Sequence, residues 1–148
     1  MKRLVLGFIA TLLAGPALAF PTLSDCGWQS SAQYLVEPWS ENSATFSNGL
    51  TRIALIETVE PAAGSYGLLI LSPPFSEMGE RQCQVLHGFS GLSLEGMRSA
   101  YDPSIGLQLA LTGMVYLESE GEFASAQVDI IINQATGAID HFITPYFN

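Results

Sequence analysis

The chain has 148 residues, of which 48% are hydrophobic and 13% are charged. Lys2 and Arg3 lie in an N-terminal segment that we expect to be removed, and the rest of the chain has three arginines against 14 acidic residues, a formal charge of −11. Nucleic acid and anionic membranes need positive charge at the contact, so this balance argues against both as partners. It is compatible with a cationic partner or with divalent ions, and it is also typical of exported proteins that acidic charge keeps soluble.

Residues 1–19 have the three parts of a secretory signal peptide. A basic start is followed by an apolar run over residues 4–13 and by the small-residue cleavage site Ala17, Leu18, Ala19. The run is too short to span a bilayer comfortably, and no later stretch is apolar enough to do so. We therefore expect a signal peptide over 1–19 and a single β domain over 20–148. That domain would be periplasmic or secreted, with no membrane insertion after signal removal.

Cys26 and Cys83 are the two cysteines of the chain. In an oxidising compartment an even number of cysteines most simply forms disulfides, so we predict a bond between them. Closing a loop of this length stabilises the fold by about 4 kcal/mol in the chain-entropy model. A redox or nucleophilic thiol is the alternative, but there is no second cysteine two residues away, and Arg81 is the one basic residue close in sequence.

The first half of the domain has the patterns of four strands. Residues 28–36 alternate and stop before Pro38, which is typical of an edge strand. Residues 50–59 are apolar on both faces, so this strand is expected to be covered on both sides. Residues 66–71 form an apolar run that predicts a hairpin with 50–59, and residues 81–87 are a further strand that carries Cys83.

Residues 93–101 interrupt the strand pattern. Leu94, Met97 and Tyr101 are spaced i, i+3 and i+7, and Ser93 is placed to cap a helix. The spacing predicts one short helix, although Gly96 weakens it.

Residues 105–143 have the clearest pattern of the chain, that of a three-stranded antiparallel meander. Apolar residues occupy every second position of two stretches, a period of two. With residues 119–122 as the connecting loop, Leu117 faces Ala124 and the apolar sets share one face. The same register places Leu111 opposite Ile130 and Leu109 opposite Ile132.

A second loop is predicted at residues 134–137, where Gly137 is available for positive φ. The third strand then returns over residues 138–143 with His141 on the inward face. The predicted pairs are Ile139 with Ile132, His141 with Ile130 and Ile143 with Val128. Assembled, the patterns predict a mostly β fold, either an antiparallel sandwich or a partly open barrel, of about seven strands with one short helix.

His87 and His141 are the two histidines and the candidate functional ones. A serine hydrolase would use a histidine as its base, but no serine of the chain lies in a glycine-flanked nucleophile turn. A histidine at the rim of the core with one hydrogen-bond partner is the simpler interpretation of His141.

Glu118, Glu120 and Glu122 crowd one hairpin loop, and carboxylates in a short loop are ligands that calcium accepts. The order of ligands and the glycine of an EF-hand loop are missing, and solvated charges at a hairpin tip are the simpler interpretation. For zinc, the histidines lack a third ligand nearby in sequence. No other cofactor is implied.

Four apolar side chains, Met114, Tyr116, Ile131 and Phe142, fall on the outward face of the predicted meander. Such a strip is either covered by the helix and a second layer or is an interaction surface. A domain of this size needs two layers, so we expect it to be covered.

The order of four short segments resembles that of small, uncharacterised exported proteins of Gram-negative bacteria. These segments are Glu37-Pro38-Trp39, the strand end at residues 71–74, the turn Tyr101-Asp102-Pro103 and the hairpin at residues 133–137. The resemblance covers most of the domain and implies no activity and no functional residues.

Folding signals are plentiful in this chain and candidate catalytic groups are few. The function we expect is therefore that of a soluble periplasmic, non-enzymatic binding or structural domain, with a protein or a small molecule as partner. The alternative is a small hydrolase or a calcium-dependent enzyme.

Overall fold

The computed structural model describes residues 20–147, so the predicted signal peptide lies outside the described residues. Nine strands are formed, two more than the sequence predicts. They are β1 (Thr22–Asp25), β2 (Ser43–Phe46), β3 (Thr51–Glu57), β4 (Tyr66–Phe75), β5 (Arg81–Phe89), β6 (Gly91–Asp102), β7 (Gly106–Leu117), β8 (Glu122–Ile132) and β9 (Ile139–Tyr146).

The strands form two antiparallel sheets. The first has five strands in the order β1-β5-β4-β3-β2, and the second has four in the order β6-β7-β8-β9. Strands account for 61% of the structure, which confirms the mostly β prediction, and the two separate sheets correspond to the sandwich alternative. Within residues 20–147 the helical segments are short 3-10 turns, and none has the length and apolar character needed to cross a membrane.

The principal core fills the space between the sheets. Each sheet contributes alternate residues, because successive side chains of a strand point to opposite faces. A fully buried aliphatic or aromatic side chain stabilises the fold by roughly 1.5–3 kcal/mol. The first sheet contributes Ile53, Leu55, Leu68, Ile70, Leu86 and Phe89, and the second contributes Leu92, Leu107, Leu109, Leu111, Val115, Ala124, Ala126, Val128, Ile130 and Ile132.

A smaller core lies on the outer face of the first sheet. Ile56, Leu69 and Val85 are buried there, with Tyr34 and Leu35 packed against them. The prediction that the strand at 50–59 is covered on both faces is therefore confirmed. The predicted hairpin with 66–71 is also formed, as the pair β3 and β4.

The predicted disulfide is formed beside this smaller core. Cys26 and Cys83 are bonded with Cα atoms 5.4 Å apart, within the usual range for a disulfide. Cys83 lies on β5, and the Cys26 amide also donates a hydrogen bond to its carbonyl oxygen at 3.1 Å. The bond therefore holds the segment that follows β1 against the first sheet.

The predicted edge strand at residues 28–36 is wrong. The segment forms two 3-10 turns, Trp28–Ser30 and Ala32–Tyr34, and pairs with the sheet at one isolated bridge, between Leu35 and Ile56. The edges of the first sheet are occupied by β1 and β2, so the segment crosses the outer face instead. Its alternating apolar residues mimic a strand because some of them cover the smaller core.

The predicted helix at residues 93–101 is also wrong, because this stretch belongs to β6. The register of β6 against β7 shifts between Ser93 and Arg98, so five residue steps of β6 match two of β7. Gly96, with φ of +70°, lies inside this irregularity. Leu94 and Met97 both pack on the principal core, which reproduces the three-residue spacing of a helix.

The meander is present as β7, β8 and β9. The predicted register of its second hairpin is confirmed, including His141 opposite Ile130. In the first hairpin Val115, rather than Leu117, pairs with Ala124, a shift of two residues. The turn is residues 118–121 instead of 119–122. A shift of two leaves every side chain on its predicted face, because the period of a strand is two.

Candidate functional site

A pocket of about 500 Å³ lies on the outer face of the first sheet, beside the smaller core. Its floor is a row of residues that pair across four strands. Ile56 of β3 pairs with Gly67 of β4, Gly67 pairs with His87 of β5, and His87 pairs with Thr22 of β1. Because Gly67 has no side chain, the middle of this row is a depression between Ile56 and His87.

The glycines around the pocket are required by close contacts of the backbone. A Cβ on Gly67 would lie 3.0 Å from the Leu86 carbonyl oxygen and 3.2 Å from Cγ1 of Ile56. Gly88 has φ of +105°, and a Cβ there would lie 3.2 Å from Cα of Pro21. The wall residue Gly64 approaches the Gly88 backbone just as closely. These contacts bring both walls of the pocket directly onto β5.

Aromatic side chains form one side of the pocket. Phe20, which precedes β1, is 43% exposed, and Trp28, in the first 3-10 turn, is 65% exposed. Trp28 packs edge-on against Tyr34, with ring centroids 5.5 Å apart, and Tyr34 in turn covers the smaller core. The indole is thus held in place on one side and uncovered on the other.

The opposite side is the connection between β3 and β4. Residues 58–65 form a loop held by hydrogen bonds across its base, where the Thr58 amide donates to the Ser65 carbonyl oxygen at 2.9 Å. The loop is also tied to the strand junction after β5, since the Ser90 hydroxyl donates to the Ala63 carbonyl oxygen at 2.7 Å. It presents Glu60, Pro61 and Ala63 to the pocket.

The lining is mainly apolar, with a few polar groups. Thr22 Oγ1 and His87 Nε2 are 3.5 Å apart, a long contact that leaves the imidazole able to bond a ligand. Among the described residues that line the pocket, Glu60 is the one carboxylate, and neither lysine nor arginine is present. A preformed apolar pocket with a few polar groups is typical of small-molecule sites.

The two predicted functional histidines are separated by the fold. His87 lines this pocket, whereas His141 is half-buried on β9 and shares the inward face with Ile139 and Ile143. The predicted inward position of His141 is therefore confirmed. The two histidines lie on different sheets and are not brought together as a pair.

The predicted calcium ligands Glu118 and Glu120 lie in the turn between β7 and β8, and Glu122 begins β8. Among residues 20–147 no group of three or more histidine, cysteine, aspartate or glutamate side chains is arranged to hold a metal ion. The calcium assignment stays a prediction from the sequence.

The outward strip of the second sheet differs from expectation. Met114 and Phe142 are 44% and 57% exposed, so the prediction that a second layer covers them is wrong. Tyr116 and Ile131 are half-buried, and Tyr116 packs against Phe123 with ring centroids 5.1 Å apart. Phe123, which pairs with Tyr116 on the neighbouring strand, supplies part of the cover of Tyr116.

Sequence reasoning found His87 but missed the other main groups of the pocket. Trp28 was assigned to an edge strand, and Phe20 and Glu60 were not singled out. The one local signal was the change from alternation to a loop after residue 59, which gives no indication that the loop faces Trp28. The pocket is assembled by strand pairing between distant parts of the chain.

The fold is an antiparallel β sandwich with a small covered area on the outer face of one sheet. The chain matches no protein-family model, no curated protein and no solved structure. The resemblance to small exported proteins of Gram-negative bacteria thus stays a prediction from the sequence.

Proposed function

We propose that this protein is a soluble, exported, non-enzymatic binding domain, periplasmic in a Gram-negative source, and that its ligand site is the pocket beside Trp28 and His87. The observation that carries the proposal is the preformed pocket of about 500 Å³, within the range of small-molecule sites. An indole that is 65% exposed in its wall offers a large apolar surface to a ligand.

The support of the pocket favours binding without a large rearrangement. The disulfide at Cys26 precedes the turn that holds Trp28, and the smaller core lies under the same segment. The opposite loop is held by backbone hydrogen bonds at its base. A site that is ordered before the ligand arrives avoids part of the entropy cost of binding.

Export is supported by the N-terminal sequence pattern and by the disulfide. Disulfides persist in oxidising compartments such as the periplasm and are rare in the cytosol. A hydrolase that used both histidines has less support, because His87 and His141 lie on different sheets.

The proposal is tested with a fragment library and the oxidised chain of residues 20–148, by amide and indole NMR shifts. We expect saturable shifts at the Trp28 indole N–H, Gly67 and Gly88 for a subset of fragments. Trp28→Ala should abolish the shifts at Gly67 and Gly88. Trp39→Ala is the matched control, because Trp39 is 58% exposed and does not line this pocket. Shifts that scatter over the surface, or that survive in Trp28→Ala, would overturn the proposal.

A further inference from the structure

We propose that the ligand of this pocket is a small organic cation with an apolar body, such as a quaternary or protonated amine on an aromatic or aliphatic group. This inference rests on the proposed function and adds the chemical class of the ligand. It is carried by the charges and by the aromatic groups of the lining.

The charges around the pocket favour a cation. Glu60 is the one carboxylate among the lining residues, and Arg52, Arg81 and Arg98 do not line the pocket. The rest of the chain after the predicted signal peptide has a formal charge of −11, so its field attracts cations and repels anions. A free carboxylate or phosphate ligand would find neither lysine nor arginine among the described residues of the lining.

The aromatic wall favours the same class. An indole face is the strongest of the aromatic partners for a cation, and its attraction is larger when the site is partly dry. Trp28 is 65% exposed although it packs against Tyr34, so much of the indole is uncovered. Phe20 adds a second aromatic ring to the same side.

The floor argues against a bare metal ion. Hard cations such as calcium take six to eight oxygen ligands, whereas the floor offers the Thr22 hydroxyl and the Gly67 backbone beside Ile56 and the His87 imidazole, and Glu60 is the one carboxylate of the lining. An organic cation instead places its apolar body on Ile56 and Pro61 and its charge in the space between Glu60 and the indole. Apolar burial and charge are then satisfied by different parts of one molecule.

One group would oppose this ligand. Cleavage after Ala19 would leave an ammonium group on Phe20, at the rim of the pocket. The experiment therefore uses the chain that begins at Phe20, in which the carboxylate and the indole must outweigh that charge.

The test compares three probes that share a phenyl ring: benzyltrimethylammonium, benzyl alcohol and phenylacetate, at one ionic strength. The readout is the fluorescence of Trp28 in a Trp39→Phe background, because the chain has two tryptophans. We expect benzyltrimethylammonium to bind about threefold more tightly than benzyl alcohol, the gain of a cation over an exposed indole, and phenylacetate not to bind. Higher salt should weaken the cation alone, because salt screens exposed charges.

Two variants test the role of the carboxylate. Glu60 is exposed, so Glu60→Gln should weaken the cation about two- to fivefold, as expected for a solvent-exposed charge pair, and leave benzyl alcohol unchanged. Glu77→Gln is the matched control, because it removes the same charge from the turn between β4 and β5, at the far end of those strands from the pocket. Equal effects of the two variants would overturn the inference.

The failures of the two proposals are distinguishable. If benzyl alcohol binds as tightly as the cation and the binding depends on Trp28, the ligand class is wrong and the binding function stands. Tighter binding of phenylacetate would also reject the cation. If none of the three probes changes the fluorescence of Trp28, the cation is rejected as the ligand class. The fragment experiment then decides separately whether the pocket binds ligands.

Discussion

Trp28 and Trp39 show that the surroundings of a tryptophan, rather than its exposure, decide whether it can belong to a ligand site. Both are more than half exposed, which is unusual for so large an apolar side chain. Trp28 faces a pocket that also contains the Glu60 carboxylate, the His87 imidazole and the apolar side chain of Ile56. Trp39 lies in the connection before β2 and lines a smaller cavity of about 120 Å³ together with Leu35, Val36 and Asn42. Exposure alone therefore does not mark the ligand site.

Asp102 illustrates a charged residue with a structural role. It closes the turn between β6 and β7, where its carboxylate accepts a hydrogen bond from the Ser104 amide at 2.7 Å and another from the Ser104 hydroxyl. These hydrogen bonds favour the charged form and hold the pKa of Asp102 below its ordinary value of 3.8. The charged carboxylate is thus stabilised more in the folded chain than in the unfolded one.

This lowered pKa predicts how stability depends on pH. A carboxyl group with a depressed folded pKa stabilises the fold fully above its unfolded pKa and loses that contribution as the pH falls through the folded pKa. We expect Asp102→Asn to lower the midpoint of thermal unfolding at pH 7, and the difference from the parent to shrink below pH 3.8. Asp140→Asn, at an exposed strand position, is the control. A difference that is constant down to acid pH would contradict the assignment.

At the scale of elements, the turn between β8 and β9 joins the two sheets. Gln82 of β5 donates a hydrogen bond to the Gly137 carbonyl oxygen at 2.9 Å, and Gln134 donates to the buried Thr51 hydroxyl at 2.6 Å. Gly137 has φ of +82°, and a Cβ there would lie 2.5 Å from Cδ of Pro74. The turn therefore needs glycine both for its backbone conformation and for its close packing.

A pair of alanine substitutions separates those two requirements. Gly121, in the turn before β8, has φ of +70° and no atom within 4 Å of its missing Cβ. Gly121→Ala should cost about 1 kcal/mol of unfolding free energy, the penalty for a left-handed residue. Gly137→Ala should cost about 1–3 kcal/mol more, because Pro74 and Gln82 must also move. Denaturant unfolding measures both free energies. Equal losses would show that Pro74 and Gln82 move aside at no cost, and would contradict the packing requirement.

The meander shows how far a strand pattern specifies its pairing. The register of β8 with β9 was predictable because Gly137 marks the turn and polar residues fill it. In the other hairpin the polar run is longer than the turn, and counting it from residue 119 displaced the pairing by two. The predicted inward and outward faces of β7 and β8 are therefore correct, whereas the predicted residue pairs between these strands are wrong.

The irregularity in β6 breaks the alternating pattern of a strand, so the sequence pattern alone does not reveal that this stretch is a strand. Three additional residues of β6 are accommodated near Gly96, so Leu94 and Met97 reach the same core without strict alternation. A helix at this place would have left β7 without its outer neighbour in the sheet. Pairing with β7 therefore outweighs the helical spacing of Leu94, Met97 and Tyr101.

At the scale of the whole molecule, the disulfide connects the covered outer face to the sandwich. It closes a loop of sequence separation 57, and the chain-entropy model gives a contribution of about 4 kcal/mol. The segment it holds carries Trp28 and covers the smaller core. Stability and the shape of the pocket are therefore linked.

The double variant Cys26→Ser, Cys83→Ser tests this link. We expect a loss of roughly 2–5 kcal/mol in unfolding free energy, measured by denaturant titration. We also expect the NMR signal of the Trp28 indole N–H to move to the chemical shift of a free indole. The amide signals of the second sheet should keep their chemical shifts. The oxidised parent protein is the control, and an unchanged Trp28 environment would show that packing alone holds the segment.

Local patterns of the sequence were enough to establish the fold class, six of the nine strands, the inward faces of the meander and the cysteine pair. They suffice because the alternation of apolar and polar residues depends only on which face of its own strand each side chain occupies. Only the tertiary structure decided the pocket, because its floor draws Ile56, Gly67, His87 and Thr22 from four strands. Their contact depends on strand order and on two backbone approaches at glycine, and neither leaves a periodic signal in the chain.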